Sequence, residues 1–171
     1  MKLSALEHVH KHDIVHHDVK PQSLLPCEDT YFSHFYLIDF GLATHRLSVT
    51  PCEVDLVKES INVFGTLSWA SLNALNGIEL KPRDDIKSLA LVLLYLLRGD
   101  LPWHKLCGAG SALARILQIR SKMLSWDGLR LAEGHPSVFG EPLDYARRWT
   151  LTIQLITSAF VGLLKRCATQ K

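Results

Sequence analysis

Cysteine, one-sided charge, long apolar runs and clustered glycine are all scarce in this sequence. Only four of the 171 residues are cysteine: Cys27, Cys52, Cys107 and Cys167. No two stand at the short spacing of a zinc site or form a disulfide framework, so reduced thiols in the cytosol or nucleus are expected. Nineteen basic residues face seventeen acidic ones, a net charge of +2. No basic run marks an electrostatic footprint, so nucleic acid is not an expected partner. The most apolar stretches, 89–97 and 151–164, fall short of the roughly 20 residues that cross a bilayer. Met1-Lys2-Leu3-Ser4 carries no signal-peptide core. No membrane association is expected. The ten glycines are scattered, and none builds a glycine-rich loop of the kind that cradles phosphates.

What is present suits one domain over residues 1–171. Hydrophobic residues make up 47% and charged residues 21%, which excludes disorder. A chain of this length buries about 70% of its unfolded surface. Leu3, Leu6, Val9 and His10 recur at helical spacing, and the polar stretch 12–20 reads as a loop. Residues 23–25 and 35–38 read as short strands, and 43–68 as a long loop. Asp84 and Asp85 favour a helix start, since acids complement the dipole there. Ile86, Leu89, Ala90, Val92, Leu93, Leu94, Leu96 and Leu97 follow, and Gly99 suits the stop. This helix, over 84–97, is apolar all round and should be buried on every side. Ser111 caps a helix carrying Leu113, Ile116, Leu117 and Leu124. Gly134-His135-Pro136 breaks it, and Pro142 opens a last helical region reaching Lys165. The fold class is α+β, mostly α.

The chemistry concentrates in two stretches: His16-His17-Asp18-Val19-Lys20-Pro21-Gln22-Ser23 and Leu37-Ile38-Asp39-Phe40-Gly41-Leu42-Ala43. A loop carboxylate two residues before a lysine can accept a proton from an attacking hydroxyl while the lysine neutralises a transferred phosphoryl group. A second carboxylate at a strand end, Asp39, suits Mg²⁺ beside phosphates.

These stretches resemble the catalytic loop and the Asp-Phe-Gly motif of protein kinases. The order continues with Gly65-Thr66 and Asp84-Asp85-Ile86-Lys87-Ser88-Leu89. Ala70-Ser71-Leu72-Asn73, Leu101-Pro102-Trp103 and Gly134-His135-Pro136-Ser137-Val138-Phe139 are most similar to the casein kinase I family. The resemblance covers about residues 1–150 and implies a kinase C-terminal lobe, helical with a short β-hairpin beside the catalytic loop. It implies ATP and Mg²⁺ as cofactors and a protein substrate or partner. Asp18 would be the catalytic base, and Lys20 would contact the γ-phosphate. Asp39 would bind Mg²⁺, with Ser23 at the second metal position. His16, Phe40, Gly41, Thr66 and Asp85 would support the site.

The departures from the family pattern are specific. His17 stands where the family has arginine, and Ser23 where it has asparagine. Pro82-Arg83 stands in place of an Arg-Arg pair associated with phosphorylated substrates. The chain begins inside the helix before the catalytic loop. An N-terminal lobe, with its glycine-rich loop, strand lysine and helix glutamate, is therefore expected to be absent. The resulting expectation is a kinase-like chain that is inactive alone. The alternatives are a non-catalytic pseudokinase remnant that binds protein, or a truncated gene product. The face that meets the N-lobe in relatives would invite self-association.

Overall fold

The computed structural model describes residues 4–26, 35–45, 65–108 and 111–148. Helix α1 spans Ser4–Lys11 and strand β1 Ile14–Val15. Strands β2, Leu24–Pro26, and β3, Phe35–Leu37, follow, then β4 at Thr44–His45. Helices α2, Leu72–Leu75, α3, Pro82–Arg98, α4, Ala112–Leu124, α5, Gly128–Leu131, and α6, Glu141–Arg148, complete the described chain. The architecture is mostly helical with two small antiparallel sheets. In one, Leu24 stands opposite Leu37 and Leu25 opposite Tyr36, in the two segments expected to be strands. In the other, β1 pairs with β4, so the stretch expected to be all loop contains a strand. Two residues are too few for a periodic signal, and only the partner strand reveals them.

Helix α3 organises the packing. It begins at Pro82, two residues before the expected start, because proline suits the first turn, where its missing N–H leaves nothing unsatisfied. Asp84 then reaches back to accept the Lys81 amide at 3.0 Å. The helix ends where Gly99 takes φ +84°. Its first three turns are buried all round, from Asp84 to Val92, but Leu96 is exposed. The expectation of burial on every side fails in that last turn.

Two apolar clusters flank α3. The larger joins Leu75, Leu91, Leu94, Trp103, Ile119, Met123, Leu131 and Leu143. The smaller joins Leu6, Val19, Ile86, Leu89 and Ala146. Each such side chain contributes about 1.5–3 kcal/mol on burial. In α4, Ser111 Oγ accepts the Ala114 amide as expected of a cap. The inward face, however, is Ile116, Ile119 and Met123, while Leu113, Leu117 and Leu124 face outward. Both sets fit a helical period, and only the position of α2, the turn at 104–108 and the larger apolar cluster selects between them. Helix α6 is described as far as Arg148, so the expected continuation to Lys165 lies outside the described residues, as does most of the 43–68 loop. No described helix is long and apolar enough to cross a membrane.

Candidate active site

The site is built on the loop between β1 and β2. Asp85, at the start of α3, holds that loop from below. Its Oδ2 accepts the His16 amide at 2.8 Å and its Oδ1 accepts the His17 amide at 2.9 Å. Oδ2 also accepts from His10 Nε2 at 2.8 Å. The His10 side chain is buried with it, so this histidine is a structural strut and not part of a solvated cluster. Its place in the apolar phase of α1 was the available signal.

His16 is fully buried and links the two halves of the site. Its Nε2–H donates to the Ile38 carbonyl at 3.0 Å, which leaves Nδ1 to accept the Asp18 amide at 3.3 Å. The Phe40 ring meets the His16 ring edge-on, with centroids 4.8 Å apart. A histidine thus fixes the distance between the Asp18 loop and the Asp39 turn. His17 and Asp39 both take left-handed backbone, each at φ 68°. Non-glycine residues adopt such a conformation at a cost of about 1–3 kcal/mol, a strain typical of functional sites.

Asp18 faces Lys20 and Thr66. Lys20 Nζ donates to Asp18 Oδ2 and lies 3.5 Å from Asp39 Oδ2, so one ammonium bridges two carboxylates. The Thr66 amide donates to Asp18 Oδ1 at 2.8 Å. Burial pushes the Asp18 carboxyl up, but the hydrogen bonds from Lys20 and Thr66 and the Lys20 charge together hold it below the ordinary carboxylate value. The Lys20 ammonium is raised, first by its hydrogen bond to Asp18. Both groups are therefore charged at neutral pH. Gly65 makes the approach of Thr66 feasible: it takes φ +83°, and a Cβ there would lie 2.6 Å from the His17 carbonyl oxygen. This close approach was not legible in the sequence.

A protein kinase domain match covers residues 2–168. The chain belongs to the protein kinase family. Kinases in general use ATP and Mg²⁺ and act on protein substrates. The residues of this chain fit one such cation well. The Asp39 side chain is 53% exposed, offers hard carboxylate oxygens and stands beside the Lys20 ammonium. They fit a second cation poorly. Ser23 is fully buried, and its hydroxyl donates toward the Lys20 carbonyl at 2.8 Å and accepts the Lys20 amide at 2.9 Å. Its hydroxyl hydrogen also lies within reach of the Asp18 carbonyl, at 3.3 Å. That geometry makes Ser23 an internal tie of the loop, in place of the metal ligand expected from its position.

His17 Nε2 lies 2.6 Å from Thr44 Oγ1. Burial lowers its pKa, against the raising influence of Asp85 and Asp84. An imidazole held neutral in this way offers an activation-loop phosphate none of the fixed charge of an arginine.

Proposed function

We propose that the chain is the C-terminal lobe of a serine/threonine protein kinase of the casein kinase I type. The reaction of the complete enzyme is attack of a protein hydroxyl oxygen on the γ-phosphorus of ATP. The bond from that phosphorus to the bridging oxygen breaks, and ADP leaves. Asp18 accepts the hydroxyl proton, Lys20 neutralises charge on the phosphoryl oxygens, and Asp39 would hold Mg²⁺. The observation that supports this best is the Asp18 carboxylate. It is ionised, oriented by the Thr66 amide, and carried on a loop bonded to Asp85. The family resemblance at Ala70-Ser71-Leu72-Asn73 supports the casein kinase I assignment.

The 171 residues alone are proposed to be inactive, because the scattered glycines provide no phosphate-covering loop. A second reading, a non-catalytic pseudokinase that binds protein, draws on the inward-turned Ser23 hydroxyl. It also draws on the apolar surface beside Asp39. Leu25, Tyr36, Ile38, Phe40 and Leu42 are all exposed there, a patch suited to another lobe, a partner or a second copy.

The test is to purify the native protein from its source cells, measure its mass, and assay phosphate transfer from labelled ATP to a protein acceptor. The Asp18→Asn variant runs in parallel. Activity that falls by about a thousandfold or more in Asp18→Asn supports the enzyme. Undiminished activity in that variant overturns the assignment of the base. An inactive native species of 171 residues favours the binding-module reading.

A further inference from the structure

A cavity of about 240 Å³ opens where α2, α3, α4 and α6 meet, and none of Asp18, Lys20 or Asp39 lines it. Its walls are largely apolar, with Leu72, Leu91, Met123 and Leu124 among them. Two of its lining side chains, Lys87 and Arg147, are cationic, and among the described residues no lining side chain is acidic. Buried cations are normally matched one for one by carboxylates; Lys87 has Asp84, whereas the partly buried Arg147 bonds only carbonyls among the described residues.

Neither cation is saturated. The Lys87 side chain is only 9% exposed, and its Nζ donates to Asp84 Oδ1 at 3.1 Å. An ammonium carries three N–H groups, so two have no partner among the described residues. Asp84 is itself shared, since it also accepts from Ser71 Oγ, Asn73 Nδ2 and the Lys81 amide. Arg83 adds a further positive charge, 3.8 Å from Asp84 Oδ2. Arg147 donates Nη1 to the Trp126 carbonyl at 2.7 Å and Nη2 to the Met123 carbonyl at 3.1 Å. It meets no carboxylate within hydrogen-bond distance among the described residues. Asp144 and Asp127 act on it only through space. Each is committed to the start of α5, accepting the Gly128 and Arg130 amides respectively. Burial lowers the pKa of both cations; for Lys87 the Asp84 carboxylate opposes this, while the Arg83 and then the Arg147 charge add to it. Both side chains line the same cavity.

We propose that this cavity binds a small carboxylate with an apolar body. The free N–H groups of Lys87 and Arg147 take the carboxylate oxygens, and the guanidinium fork suits that planar group. The body lies against the leucine walls. A single charge matches the site better than a phosphate dianion, whose desolvation among leucines costs far more.

The test is calorimetric titration of the full chain with hexanoate, hexanol and inorganic phosphate. Hexanoate is expected to bind at least about tenfold more tightly than hexanol, which lacks the charge, or phosphate, which lacks the body. At 100 times its Kd it should raise Tm by about 5–10 °C. Lys87→Met and Leu124→Glu should each weaken hexanoate at least about tenfold. Leu124 is 65% exposed at the cavity edge, so its variant folds even where Lys87→Met does not. Phosphate binding as tightly as hexanoate, no hexanoate binding at millimolar concentration, or unchanged affinity in folded Leu124→Glu would each overturn the proposal.

Discussion

Asp85 and His10 stand 75 residues apart in the chain, yet His10 Nε2 lies 2.8 Å from Asp85 Oδ2 with both side chains buried. The same carboxylate takes the amides of His16 and His17. One side chain therefore joins α1, the Asp18 loop and the start of α3. The loop that carries the candidate base depends on α3 for its shape, although α3 contributes no group to the chemistry.

Asp85→Ala is expected to strand three buried donors at once. Each unsatisfied donor costs about 1–3 kcal/mol, so the variant should lose about 3–5 kcal/mol of stability. Urea unfolding of both proteins measures this. A loss below about 1 kcal/mol would show that water or a rearranged loop replaces the carboxylate.

Gly65→Ala should misplace Thr66. The left-handed backbone and the 2.6 Å approach of a Cβ to the His17 carbonyl act together, for an expected cost of about 2–3 kcal/mol. The Thr66 amide, shifted from Asp18, would no longer bond it. A thermal melt reads the destabilisation. The chemical shift of the Thr66 amide, unchanged in the variant, would contradict the account.

Asp18 sets an acid limb. A carboxyl whose native pKa lies below its unfolded value contributes stability that is complete above the unfolded pKa, about 3.9. That contribution is lost as pH falls through the lower native value. The stability gap between wild type and Asp18→Asn should accordingly be level from about pH 5 to 7 and shrink below about pH 4. Lys20 acts in the opposite sense at high pH: its pKa is raised, so its contribution fades only as pH climbs through that raised value. Chemical denaturation at a series of pH values tests both limbs, and a gap constant down to about pH 2 would refute the first.

Gly128 and Gly140 let α5 pack against the turn before α6. A Cβ on Gly128 would fall 2.0 Å from the Gly140 carbonyl oxygen, and one on Gly140 would fall 2.0 Å from the Gly128 carbonyl oxygen. Backbone cannot yield as a side chain does, so Gly128→Ala should cost about 3 kcal/mol, at the upper end of overpacking. Unfolding by urea with little change in stability would mean that α5 moves away freely.

Much of the site was legible because its residues are close in sequence. Asp18, Lys20 and Ser23 share one loop, and Asp39, Phe40 and Gly41 one turn. The start of α3 could be placed to within two residues, because acids and proline act locally on a helix terminus. Ser23 shows the boundary of that reading. Its position in the motif predicts a metal ligand, while its hydroxyl is consumed by the Lys20 backbone. His10 is legible only in part: its phase on α1 marks it as inward-facing, but nothing near it in sequence shows that it holds a carboxylate 75 residues away.

The sequence by itself determined where α1, α3, α4 and the start of α6 form, where the acids of the site stand and which family pattern they follow. These depend on neighbours within a few residues, through turn chemistry, capping and periodicity. Only the tertiary structure decided which face of α4 turns inward, that Ser23 closes the loop, and that Gly65 and Gly128 must be glycine. It alone placed Lys87 and Arg147 around one cavity. Each of these rests on close approach between segments distant in the chain, and the cost of a steric overlap or an unmatched charge is set by whatever lies opposite.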